Sequence, residues 1–167
     1  GIITFISPSA ETSTRTFEYQ DTSKSYIGFR CAVDFLGRDQ KDFESIKYVL
    51  DSYGKTISLI GNSGSGQLCK MVNQICIAGL IQGLSEGLSF GKKSNLNMEK
   101  VINVISKGAA QSWQMENRAE TMIQNKFDFG FAVDWMCKDL NICFNYLNNV
   151  NVELPITKII YYYYDKI

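Results

Sequence analysis

The segment that most limits how this chain can fold is a strand-like run, then a glycine-rich turn, then a long apolar stretch. Thr56 to Ile60 (TISLI) reads as a short strand, and Gly61 to Gln74 reads GNSGSGQLCKMVNQ. Gly61, Gly64 and Gly66 permit a tight turn. From Gly64 to about Phe90 the pattern is that of one long helix, which Gly91 is expected to close. Lys70, Asn73 and Gln74 fall at i, i+3 and i+4, on one face of that helix. A lysine and two amides on an otherwise apolar helix are costly to bury unless they are hydrogen-bonded or put to use. The pattern predicts a polar site built into the core of a helical domain.

The flanks divide the chain. Ile2 to Ile6 suits a strand, whereas SPSAETSTRTFEYQDTSKS has little to bury, so the first 25 or so residues are expected to be loop or poorly ordered. Tyr26 to Leu36 has room for a strand. Gln40 to Tyr53 is amphipathic, with Phe43, Ile46, Val49 and Leu50 on one face and Gly54 as a stop. Residues 1–60 thus read as the remnant of an α/β domain. Residues 61–167 read as all-α: Asn97 caps a helix from about Met98 to Ser106, Gly108 ends it, Ser112 to Gln124 and Asp128 to Asn148 are helical, and Pro155 opens a last helix. The expected class is mainly α. Tyr161 to Tyr164 cannot all face one core, which predicts either a half-buried helix or a packing surface.

Composition removes several kinds of function. Net charge is zero and there is no basic stripe, which argues against nucleic acid as a partner. Met71 to Phe90 is interrupted by Asn73, Gln74, Gln82, Ser85 and Glu86, which predicts a buried helix and no membrane span. The five cysteines form no CxxC pair, and their number is odd; they read as reduced, mostly buried thiols of a cytoplasmic protein. Cys69 beside Lys70 could be activated, but a small apolar residue is the favoured reading. The chain has no histidine, which removes Ser-His and Cys-His catalysis and the common zinc sites; no metal is expected. Acid–base chemistry is left to lysine, carboxylate, tyrosine or cysteine.

The glycine turn has two readings. Its amides can cradle an anion at the positive helix end, or the glycines merely permit a sharp turn. The dinucleotide fingerprint is excluded here, because it needs a second strand and an acidic residue about 20 residues on, and this chain stays helical. Lys70 also has two readings: a buried lysine suited to giving and taking a proton, or a side chain that snorkels to solvent. A second polar face lies in FAVDWMCKDL, where Phe131, Asp134 or Trp135, and Lys138 share a side, with an Asp134–Lys138 surface pair as the default.

Together these residues resemble a known family. GNSGSGQLCKMVNQ is similar to the GxxGxGxxxKxxN signature of the β-hydroxyacid dehydrogenases, which include 3-hydroxyisobutyrate dehydrogenase and tartronate semialdehyde reductase, with 6-phosphogluconate dehydrogenase as a distant member. FDFGFAVDWMCKDLNIC resembles that family's GF…KDL helix at the expected separation, and the likeness covers about residues 40–167. It implies a 6-phosphogluconate dehydrogenase C-terminal-like helical domain. Lys70 would be the catalytic acid–base, with hydride moving to or from NAD or NADP. Gly64, Gly66, Asn73, Gln74 and Phe131 would bind a small hydroxy acid or semialdehyde. Lys138 would reach the cofactor, with Asp139 lining or supporting that site. Gln74, where some relatives have a second Asn, resembles the semialdehyde-reductase side.

The likeness also has gaps. Family members begin with a complete cofactor-binding domain carrying GxGxxG, and they read DAPVSGG where this chain has the Ser/Thr-rich SPSAETSTRTFEYQDTSKS. The chain alone is therefore expected to be inactive and to bind NAD(P) no tighter than millimolar. The alternative is a non-catalytic helical dimerisation or ligand-binding module derived from the family. Ile75, Leu80, Ile81, Leu84 and Leu88 offer a broad apolar surface, which predicts self-association as a homodimer or higher oligomer.

Overall fold

A computed structural model of the chain describes residues 3–6, 31–32, 40–52, 54, 56–62, 64–128 and 131–167. The chain divides into two compact units, Gly1–Val72 and Asn73–Ile167.

The first unit holds a parallel sheet with strand order β2-β1-β3, made of β1 (Ile3–Ile6), β2 (Cys31–Ala32) and β3 (Thr56–Leu59). Phe5 stands opposite Cys31 on one side and Ser58 on the other, so β1 is central. β2 and β3 both run parallel to β1, on its two sides, and α1 (Gln40–Leu50) lies in the chain between them. Its Phe43 and Leu50 are buried with Ile46 against Ile57 and Leu59 of β3. Alternation in β3 accounts for this, since Ile57 and Leu59 point the same way and Thr56 and Ser58 point outward. The strands expected at residues 2–6 and within 26–36 are present in part; the remainder of the first 25 residues lies outside the described residues.

The second unit is helical. Its spine is α2 (Ser65–Lys93), whose first turns belong to the first unit; α3 (Met98–Ile105), α4 (Trp113–Ile123), α5 (Val133–Tyr146) and α6 (Pro155–Tyr164) follow. Two clusters form along the spine. Ala78 packs with Met136 and Leu140 of α5 and Ile160 of α6. Leu84 and Leu88, two turns further on, pack with Met98 of α3 and with Met115 and Ala119 of α4. Full burial of a side chain such as Leu140 contributes roughly 1.5–3 kcal/mol.

The helix ends follow from local chemistry. The Asn97 side chain accepts from the Lys100 amide at 3.0 Å and the Ser112 hydroxyl from the Met115 amide at 3.1 Å, each satisfying a donor orphaned at a helix start. The end of α2 departs from expectation, because Gly91 does not close the helix. The stop is Asn95, in the left-handed region at φ 58°, whose amide donates to the Lys92 carbonyl while that of Leu96 donates to Gly91. Asn125, at φ 54°, ends α4 by the same bonding pattern, to Met122 and Thr121. Gly91 has another role: a Cβ there would lie 2.5 Å from Met98 Sδ, so the missing side chain makes room for the end of the buried Met98 side chain.

Three further expectations are corrected. The helix predicted over Asp128–Asn148 begins only at Val133, because Ala132 is extended at ψ 148°. The long helix is not buried throughout: Val72, Leu80 and Phe90 are exposed, while Gln74, Ala78, Leu84 and Leu88 are buried. By length and composition α2 is apolar enough to cross a membrane, but from Gln74 onward its buried residues pack on α3 to α6. Of the described thiols only Cys143 is buried; Cys69 and Cys137 are half-buried and Cys76 is exposed, and none of these four is in a disulfide.

Candidate functional site

Two segments far apart in sequence meet inside the second unit. Gln74, on α2, is buried, and its Nε2 donates to Oδ2 of Asp139, on α5, at 2.8 Å. Its Oε1 accepts from Asn73 Nδ2 at 3.0 Å. The other carboxylate oxygen of Asp139 pairs with Lys138 Nζ at 3.1 Å. Asp139 is nearly sealed, its side chain 6% exposed, whereas that of Lys138 is 56% exposed. The result is a polar line running from a half-buried amide, through a buried amide and a buried carboxylate, to a surface ammonium. Each buried member has a partner, which is the condition for carrying such groups in a core. The Cys143 thiol donates to the Asp139 carbonyl at 3.2 Å and ties the same turn of α5.

The other predicted residues are placed as follows. Lys70 sits in the second turn of α2, counted with the first unit, and is half-buried instead of buried. Gly64 precedes α2 at φ +89°, and a Cβ there would meet nothing within 4 Å. Glycine is required at that position by backbone conformation, since space is available. Gly66 is buried in the first turn. The turn itself is held by the Ser65 amide donating to the Asn62 carbonyl and by that of Leu68 donating to Gly64. Phe131 stands before α5 and meets Trp135 edge to face at 5.6 Å, with both rings about half exposed. Lys138 pairs with its neighbour Asp139 in place of the expected i,i+4 partner Asp134. The structure therefore joins Asn73, Gln74, Lys138 and Asp139, and it leaves Phe131 and Trp135 as a separate surface pair.

Thiol electrostatics bear on the cysteine question. Burial pushes the Cys69 thiol above its ordinary range, which favours its neutral form and the apolar reading. Cys137 is raised by burial first and then by the charges of Asp165 and Asp134. Tyr164 is raised by burial and by the adjacent Cys137. Cys137 and Tyr164 line an open cleft of about 710 Å³ along α5 and α6, together with Asn141 and Lys138. The cleft shares only Lys138 with the amide line, so it is distinct from that site. Among the described residues no three His, Cys, Asp or Glu side chains cluster as a metal site would require.

The sequence did not reveal the Gln74–Asp139 bond. The only available signal was that each of the two motifs carries a polar residue on an apolar helix.

Comparison with known proteins gives the same two segments a common setting. Residues 64–167 match the profile described as the NAD-binding domain of NADP-dependent 3-hydroxyisobutyrate dehydrogenase. An uncharacterized oxidoreductase of Shewanella frigidimarina is 52% identical over 132 residues, covering 79% of this chain and 45% of the relative. The 2-hydroxy-3-oxopropionate reductase of Escherichia coli is 35% identical over 122 residues, covering 73% of this chain and 42% of the relative. The chain thus spans slightly less than half the length of these relatives. Among solved structures, a 3-hydroxyisobutyrate dehydrogenase from Salmonella typhimurium superposes with a TM-score of 0.67 at 22% identity, covering 76% of this chain and 45% of that one. The Mycobacterium tuberculosis 3-hydroxyisobutyrate dehydrogenase with L-serine gives 0.68 at 21% identity, covering 78% and 47%. At that identity the likeness establishes the helical fold.

Proposed function

Because this chain belongs to the 3-hydroxyisobutyrate dehydrogenase family, we propose that it forms the substrate-side half of an NAD(P)-dependent oxidoreductase. The reaction interconverts a small 3-hydroxy acid and its semialdehyde. In this reading residues 1–60 are the end of an α/β cofactor-binding domain and residues 61–167 are the substrate and dimerisation domain. The observation that carries it is the buried Gln74–Asp139 hydrogen bond, which fastens the lysine-bearing helix to the helix bearing Lys138.

Each residue then has a task. Lys70 moves the proton: its ammonium gives one to the carbonyl oxygen during reduction and recovers it from the hydroxyl during oxidation. Asn73 accepts from a substrate hydroxyl, and Gln74 fixes Asn73. Gly64 and Gly66 let the helix start come close to the substrate carboxylate, where the helix dipole favours an anion. Phe131, which stands with Trp135 at the start of α5, offers an apolar ring to bound substrate. When bound, the nicotinamide supplies or takes the hydride. Lys138 fits such a cofactor, since its ammonium is exposed on one side and held by Asp139 on the other. The proposed setting is cytoplasmic, as a homodimer or higher oligomer; the exposed Val72, Leu80 and Phe90 of α2 support an apolar contact with a second copy.

The test is NAD(P)H-dependent reduction of a semialdehyde panel. This chain is compared with a chimera in which it replaces the matching half of the Shewanella relative. Turnover by the chimera supports the reading. A folded, dimeric chimera with no turnover on any semialdehyde favours the non-catalytic module.

A further inference from the structure

The amide line raises a question about direction. A carboxamide has a donor end and an acceptor end, and packing alone barely distinguishes them. Here the distinction is made at the buried end. The Asp139 carboxylate, already paired with Lys138, offers only acceptors, so Gln74 must turn its nitrogen toward it. The Gln74 oxygen then faces the other way, and Asn73 must meet it with its own nitrogen. With Nδ2 turned inward, the outward-facing heteroatom of the Asn73 carboxamide is its carbonyl oxygen. If position 139 were apolar, Gln74 could flip without loss and Asn73 could flip with it. A hydrogen bond to a charged group is worth on the order of tenfold or more in equilibrium preference, enough to hold the line in one sense.

We propose that Asp139 is a positioning residue: acting through Gln74, it orients the Asn73 carboxamide so that its carbonyl oxygen accepts from a ligand hydroxyl. The role of the oxygen rests on the hydroxy-acid reading above, whereas the orientation does not. At Asn73 the site takes a donor, the hydroxyl of a 3-hydroxy acid, and an acid without that hydroxyl leaves the oxygen unmet. This role distinguishes Asp139 from a surface residue contacting cofactor, since the carboxylate is sealed and works two residues away from the ligand.

The test is side-chain amide hydrogen exchange by NMR on this chain, with the exposed Asn149 as internal reference. In the wild type one Nδ2 proton of Asn73 exchanges about tenfold more slowly than those of Asn149. In Asp139→Leu that protection is lost. In Asp139→Asn, where a carboxamide no longer enforces one sense, it falls by roughly half as much on a logarithmic scale, to about threefold. Unchanged protection in either variant overturns the relay. If Asp139→Leu fails to fold, the isosteric Asp139→Asn carries the test alone. Backbone exchange at Leu140 serves as control for general loosening: equal losses at Leu140 and Asn73 overturn the specific role.

A second arm addresses the ligand. Addition of 3-hydroxyisobutyrate shifts the Asn73 carboxamide resonances, and isobutyrate does not. Equal shifts with both acids overturn the acceptor assignment. No shift with either contradicts the hydroxy-acid reading and the acceptor role together, while the exchange data decide the relay independently.

Discussion

Removing either end of the Gln74–Asp139 bond should cost more than removing both. Each residue is 5% exposed, so water cannot readily replace a lost partner. Asp139→Leu leaves the Gln74 nitrogen without its acceptor, at about 1–3 kcal/mol for an orphaned buried donor. The loss to Lys138 adds at most about 1 kcal/mol, because that side chain is mostly in water. Gln74→Leu takes a charge-assisted hydrogen bond from a buried carboxylate, at about 1.5–3 kcal/mol, with Lys138 remaining as its partner. The double variant removes both members of the bond together, leaves the half-buried Asn73 amide and the exposed Lys138 ammonium within reach of water, and adds apolar volume next to Ala78 and Leu140. It should be more stable than the sum of the single effects by about 1.5–3 kcal/mol. Urea denaturation followed by far-UV circular dichroism measures this, provided the four proteins share one m-value. Effects that add to within about 0.5 kcal/mol would refute the claim that the two side chains depend on each other.

Further expectations concern single positions. Gly64→Ala should lower stability by about 1–2 kcal/mol, because φ +89° strains any L side chain although there is room for it; a thermal melt no lower than that of wild type would contradict the backbone argument. Gly91→Ala should destabilise the chain while Met98 is present. In a Met98→Ala background it should stabilise by about 0.5–1 kcal/mol, the ordinary helix preference for alanine; destabilisation in both backgrounds would show that Met98 is not the obstacle. Among Cys69, Cys76, Cys137 and Cys143, thiol alkylation at neutral pH should label Cys76 first, then Cys69 and Cys137, and Cys143 last. The raised Cys69 and Cys137 thiols should react faster only as pH climbs above the ordinary thiol range; rapid labelling of Cys69 at neutral pH would instead mark it as activated.

Much of the helical half was legible because its signals are local. Asn97, Ser112 and Pro155 each act within one turn, and each stands at the helix start the sequence indicates. Gly91 misled because glycine near a helix end is an ambiguous signal: Asn95 took the left-handed position, and Gly91 was kept for the approach of Met98. The start of α5 lies five residues after Asp128, because Ala132 is extended and the helix begins at Val133. Burial along α2 was overstated, since apolar composition does not say which face finds a neighbour within this chain; Leu84 finds α3 and α4, and Leu80 finds solvent. The motif residues were individually visible, but the bond between Gln74 and Asp139 spans 65 positions, and nothing in either segment alone specifies it.

If Lys70 is the proton-transfer group of a hydroxy-acid oxidoreductase, as proposed above, the turnover of the Shewanella chimera with Lys70→Ala will show it. The parent chimera should give measurable NAD(P)H-dependent semialdehyde reduction. In the variant kcat should fall by about 10²–10⁴-fold, with the fold retained. Undiminished kcat in Lys70→Ala would contradict a proton-transfer role for Lys70.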